Sequence, residues 1–237
     1  MFKPIEERLP IKAIISKQIE EAILSKQFLP DEKLPSENEL AAQFSASRTS
    51  VREAIQNLAA QGLIRVEKGK GIFVNHITSD TVVTPMAKYL RLKLDRNYVL
   101  DLVHARQILE PAIAREAALN HREKDIEVLE NALIKLEEST GGYEELAQLD
   151  MEFHQDLARA TRNIVVPMLL KPIHALLPDL KSTVYANVDE AKESAVLWHG
   201  KILEEIKNRN GDGAAAKMLE HLKIAERHAE MILKKNK

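Results

Sequence analysis

The stretch Ser36-Glu37-Asn38-Glu39, Ser45-Ala46-Ser47-Arg48-Thr49-Ser50-Val51-Arg52 and Ile64-Arg65-Val66-Glu67-Lys68-Gly69-Lys70-Gly71-Ile72-Phe73-Val74, read in that order, decides the fold of the N-terminal third. Ser36 with Glu39 three residues on is a capping box: the hydroxyl accepts from the Glu39 amide and the carboxylate reaches back. It opens a short helix, Glu37–Phe44. Ser45-Ala46-Ser47 is a three-residue turn, and Ser47 caps a further helix to about Gln61 that buries Val51, Ile55 and Leu58. Gly62 then supplies a natural stop. Ile64–Glu67 alternates apolar and polar, Lys68–Gly71 turns, and Ile72–Val74 returns, which predicts a β-hairpin. Upstream, Ile11–Ser25 carries apolar residues at a helical period, followed by a break at Phe28–Pro35. The order helix, helix, tight turn, helix, hairpin is a winged helix-turn-helix, assigned to residues 1–77.

Working outward, Thr78–Thr84 lacks helical periodicity and reads as a linker, residues 78–84. Residues 85–237 read as an all-α bundle, with helices at about 85–94, 98–119, 122–138, 143–160, 163–183, 188–209 and 212–235. Prolines 167, 172 and 178 should kink or split the fifth of these. The fold class is therefore mainly α, a winged helix-turn-helix with a small β-hairpin followed by a C-terminal helical bundle.

With 237 residues, 45% of them hydrophobic, either part can bury a core without staples. No cysteine is present, which excludes disulfides, thiolate nucleophiles and Cys-ligated metal, and fits a reducing compartment. The N-terminus shows no uninterrupted apolar run and no stretch reaches the ~18 apolar residues of a membrane helix, so a cytoplasmic protein without a membrane partner is expected. The net charge is −2. Yet Gln43–Gly71 holds Arg48, Arg52, Arg65, Lys68 and Lys70 against only Glu53 and Glu67, a local excess suited to phosphates.

With Val51, Ile55 and Leu58 turned inward, Arg48, Thr49 and Arg52 lie on the outer face of the third helix. Arginine there can fork onto guanine O6 and N7 in the major groove, small hydroxyls can hold phosphates, and the first-turn amides add an anion site. Lys68, flanked by glycine, can approach the sugar-phosphate backbone. Leu34-Pro35-Ser36-Glu37-Asn38-Glu39-Leu40-Ala41, Ser47-Arg48-Thr49-Ser50-Val51-Arg52-Glu53-Ala54 and Leu58…Gly62-Leu63-Ile64 resemble the GntR family of bacterial repressors over about residues 8–75. The resemblance implies DNA contacts from Asn38, Ser47, Arg48, Thr49, Ser50, Arg52, Lys68 and Gly69. Asn38 stands where many members carry arginine, an exchange that bears on the preferred bases.

In the helical part, Asp150 and His154 are four apart and share a face with Leu146, Phe153 and Leu157. His199 falls in the stripe Val196, His199, Leu203, Ile206, and His221 in the stripe Met218, His221, Ala225. A single interior histidine is usually a hydrogen-bonded core residue. Three of them beside a carboxylate suit a first-row divalent cation, and bundle cores are where such sites are built. His174 sits near the prolines and can line a cavity. His76, His104, His121 and His228 receive no role. Arg106 lies with Leu102, Leu109 and Ile113, and is either one half of an ordinary pair with Glu110 or a fork for a ligand carboxylate.

Asp150-Met151-Glu152-Phe153-His154, His199, His221 and Arg106-Gln107-Ile108-Leu109-Glu110-Pro111 resemble the ligand-binding (FCD) domain of the FadR subfamily, over about residues 85–232. The resemblance to its metal-binding branch implies that Asp150, His154, His199 and His221 hold zinc or nickel. The absence of this set from the fatty-acyl-CoA-binding type argues against an acyl-CoA effector. The function expected is a transcription regulator, a repressor of a palindromic double-stranded DNA operator. It would act as a homodimer under a small organic-acid or sugar-acid effector that also meets Arg106. A metalloregulator sensing the ion itself, or a metal-dependent hydrolase, are the alternatives. No catalytic residue is assigned.

Overall fold

Ser36 and Glu39 form the expected box: the Glu39 amide donates to the Ser36 hydroxyl at 3.3 Å and the Ser36 amide to the Glu39 carboxylate at 2.8 Å. These bonds belong to a computed structural model that describes residues 9–76, 79–93 and 98–235. By internal contacts the chain separates into two compact units, Met1–Val82 and Val83–Lys237.

The first unit contains α1 (Ile11–Leu24), β1 (Lys33–Leu34), α2 (Glu37–Gln43), α3 (Arg48–Ala60), β2 (Ile64–Glu67) and β3 (Gly71–Val74). Ile15, Ile19 and Ile23 of α1 meet Leu40 of α2, Val51, Ala54, Ile55 and Leu58 of α3, and Ile64, Ile72 and Val74 of the hairpin in one core. The hairpin is antiparallel, Ile64 opposite Val74 and Glu67 opposite Gly71. The sheet has three strands rather than two: within the expected break, Lys33 pairs with Phe73 and Leu34 with Ile72, giving the order β1-β3-β2. Two residues are too few for a period to show. Gly71 opens β3 with φ of 128°, a backbone conformation that side-chain-bearing residues rarely adopt.

The expected linker is a correction. From Ser79 the chain is helical, in α4 (Ser79–Lys93). The β-branched run Thr81–Thr84 and Pro85 hide a helix from propensity reading. Thr78, Ile77, the first eight residues, and residues 94–97, where the 85–94 helix was expected to end, lie outside the described residues, as do 236 and 237.

The second unit continues with α5 (Tyr98–Asn120), α6 (Glu123–Glu138), α7 (Tyr143–Ala160), α8 (Val165–His174), α9 (Pro178–Asn187), α10 (Ala191–Lys207) and α11 (Gly211–Lys235). The expected 163–183 helix is split in two, with Pro178 at the first position of α9, where its missing N–H is no loss. Among the described residues this unit has no strand. Ala114, Ala117 and Ala118 of α5 pack with Leu129 of α6, Phe153 and Leu157 of α7, Ile202 of α10 and Met218 and Leu222 of α11. The small residues of α5 let neighbouring helices approach closely, and α5 packs most extensively against α11.

Candidate metal centre and nucleic-acid interface

On α3 the buried residues recur at Val51, Ala54, Ile55 and Leu58, so Arg48, Thr49 and Arg52 are left exposed. Ser47 caps the helix, accepting the Ser50 amide at 3.1 Å, and the two hydroxyls lie 3.0 Å apart. One first-turn amide is thus already satisfied. Asn38 is exposed on α2, and Lys68 and Gly69 are exposed at the hairpin tip, Gly69 with φ of 78°. Three of the five cations counted in the sequence are held by carboxylates: Arg52 by Glu37 at 3.1 Å, Arg65 by Glu67 and Asp31, and Lys70 by Glu67. Arg48 and Lys68 form no ion pair among the described residues, so the uncompensated charge is narrower than the sequence count.

In the second unit, Asp150 and His154 from α7, His199 from α10 and His221 from α11 converge, all buried. Nε2 of His154 lies 3.3 Å from Nε2 of both His199 and His221. Oδ1 of Asp150 lies 3.5 Å from Nε2 of His154 and of His199. These spacings fit a common cation, since ligands about 2.0–2.1 Å from a tetrahedral zinc stand about 3.3–3.4 Å apart. Oδ1 of Asp150 is buried without a hydrogen-bond partner, as expected of an atom reserved for an ion. Burial holds His199 and His221 well below the usual histidine range, which leaves neutral imidazoles able to ligate.

Three of the four candidate ligands are held by neighbours outside the cluster. Nδ1 of His154 donates to Oε2 of Glu110 at 2.6 Å, freeing Nε2. The His199 ring stacks on Phe153, centroids 4.1 Å apart and 7° from parallel. Oδ2 of Asp150 accepts from Lys181 Nζ at 2.5 Å and Tyr185 OH at 2.8 Å. Burial pushes the Asp150 and Glu110 carboxyls up, but their cationic and donor neighbours, Lys181 and Arg106 foremost, outweigh it and hold both well below the carboxylate range.

Arg106 does form the pair with Glu110, Nε to Oε1 at 2.6 Å, both side chains 1% exposed. Its guanidinium also lies 3.2 Å from Nε2 of His154 and lines a cavity beside Asp150 and His221. His174 is buried and donates from Nε2 to Glu110 Oε1 at 2.9 Å, while Gln155 donates to its Nδ1. Sequence reading brought the four candidate ligands and Arg106 together but missed the partners that orient them. Glu110 was read only as a partner for Arg106. Lys181 and Tyr185 lie on α9, which runs to Asn187, past the expected end at 183, and no pattern tied either residue to Asp150.

A three-stranded winged helix-turn-helix followed by an all-α unit with a buried Asp-His site defines a DNA-binding transcription regulator. Residues 12–74 match the model of bacterial regulatory proteins of the gntR family, and residues 101–223 match the FCD domain. The chain belongs to the GntR family, in its FadR-type, FCD-bearing branch. It is 32% identical over 201 residues to the Uxu operon regulator of Haemophilus influenzae, covering 81% of this chain and 71% of that protein. It is 28% identical over 218 residues to the transcriptional regulator LutR of Bacillus subtilis, covering 86% of this chain and 94% of that one. A solved GntR structure from Streptococcus agalactiae shares the fold, with TM-score 0.69 and 24% identity, over 91% of this chain and 99% of the other. Both domains and these relatives are regulators rather than enzymes, which sets the hydrolase alternative aside. No helix among the described residues is long and apolar enough to cross a membrane.

Proposed function

We propose that this protein is a cytoplasmic repressor that binds a palindromic double-stranded operator as a homodimer and responds to a small organic or sugar acid. The acid completes the coordination of a divalent ion, zinc or alternatively nickel, held by Asp150, His154, His199 and His221. The observation that carries this reading is the set of ligand-to-ligand spacings around the orphaned Oδ1 of Asp150. The ion supplies Lewis acidity toward a carboxylate oxygen, and Arg106 is placed beside the same cavity to fork onto that group.

In the first unit, Arg48 and Arg52 read base edges, Asn38, Ser47, Thr49 and Ser50 contact the neighbouring backbone or bases, and Lys68 with Gly69 follows the sugar-phosphate chain. The acid can change operator affinity only by the difference in its own affinity for the DNA-competent and incompetent forms. A thermal-shift screen of metal-loaded protein against organic and sugar acids tests this, followed by operator binding with each hit. A stabilising acid that shifts operator affinity is expected, and Arg106→Ala should keep the ion and lose that acid. If operator affinity instead follows metal concentration with no acid present, the ion itself is the signal and the acid-effector reading fails.

A further inference from the structure

Lys181 and Tyr185, one turn apart on α9, both end on Oδ2 of Asp150. Neither is needed to complete the four-ligand set. Burying a lysine is costly unless its charge is answered, and here a single carboxylate oxygen answers it, shared with a tyrosine hydroxyl. Lys181, Tyr185, Arg106, Asp150 and His221 line one cavity, whose other walls include Val103, Leu177 and Ile224. Its volume of about 30 Å³ has room for water but not for an organic acid, which enters only if a side chain gives way. Lys181, on a flexible four-carbon stem, is the lining residue best able to do so.

The charges around this cavity indicate what enters. Arg106 and Lys181 contribute +2, Asp150 and Glu110 contribute −2, and the sum is zero. A divalent ion on the Asp-His set therefore brings the site to +2, in a region from which water is largely excluded. A buried excess of that size favours a ligand carrying two negative charges.

We propose that Lys181 and Tyr185 form a second acid-binding subsite, and that the effector is a small dicarboxylic acid. One carboxylate goes to the ion and Arg106. The other takes the Lys181 ammonium and the Tyr185 hydroxyl, both of which leave Asp150 for it. The proposal rests on the carboxylate-effector reading above and narrows it.

The test uses full-length, metal-loaded protein titrated by calorimetry with (S)-malate and (S)-lactate, 2-hydroxy acids that differ by one carboxylate. Wild type should bind malate at least tenfold more tightly than lactate, and Lys181→Met should bring the ratio close to one. Tyr185→Phe should reduce the ratio in the same direction, and it serves if the lysine variant does not fold. Elemental analysis of each variant establishes that loaded protein is being compared. Equal affinities in wild type, or a malate preference that survives both substitutions, overturn the subsite and leave the carboxylate effector standing. Failure of metal-loaded wild type to bind malate overturns the subsite, whereas the carboxylate-effector reading itself fails only if no acid in the thermal-shift screen stabilises the loaded protein.

Discussion

At Glu110 one carboxylate answers three donors, Arg106, His154 and His174, and so joins the cavity cation to a candidate metal ligand. Removing its charge should loosen His154 without deleting a ligand. Glu110→Gln is expected to weaken metal affinity tenfold to a hundredfold, the usual effect of losing a carboxylate behind a ligating histidine. Competition with a fluorescent chelator measures this, and unchanged affinity would detach Glu110 from the site. On α3, Arg48→Ala and Arg52→Ala should each cost about 1–3 kcal/mol in binding a selected operator and relax base preference. Lys68→Ala should weaken all sequences alike. Gel-shift titrations against the operator and a scrambled duplex separate the two patterns. To reach a base Arg52 would have to leave Glu37, whereas Arg48 has no such pair to break.

Among the elements, α2 depends on its cap. Ser36→Ala removes one half of the box and should lower unfolding free energy by about 1 kcal/mol in denaturant titration. The α8–α9 break positions a different kind of residue. His174, at the end of α8, faces Glu110 and Arg106 of α5 and His154 and Gln155 of α7. Burial pushes its pKa down to about 4, against the pull of Glu110. Between pH 6.5 and 4 the unfolded chain accepts a proton that the folded chain refuses, so stability is full above 6.5 and falls as pH drops through this window. The loss has an upper bound of about 3 kcal/mol, at 1.36 kcal/mol per unit. Melting of chelated His174→Gln should show a shallower decline than wild type, and identical slopes would contradict the assignment. The capped and periodic elements, α2, α3 and the hairpin, were legible from Ser36, Ser47, Gly62 and the alternation after Ile64. The two-residue β1 and the start of α4 were not, because pairing and packing form them against local preference.

For the whole molecule, one recognition helix reads only a few base pairs, so discrimination across a genome calls for two copies on a palindrome. Sedimentation should show a homodimer free and on DNA. Under the proposed homodimer, an apolar groove between α5 and α8, where Ile108 is 76% and Leu169 is 62% exposed, is the face a second copy would cover. Ile108→Glu combined with Leu169→Glu should yield monomers. The convergence of the Asp-His cluster was legible at this scale because helical stripes placed three histidines and Asp150 inward. Their orienting partners were not, since Lys181 and Tyr185 become neighbours of Asp150 only through the packing of α9 on α7. If an ion binds only the folded chain, a thousandfold excess over Kd adds about 4 kcal/mol of stability, which chelation removes. The most direct test of the account is elemental analysis of protein purified without a His-tag or chelators. About one zinc or nickel per chain is predicted, and none in the variant with His154, His199 and His221 all changed to alanine. Wild-type protein without a divalent transition metal, and with a melting temperature indifferent to chelator, would contradict it.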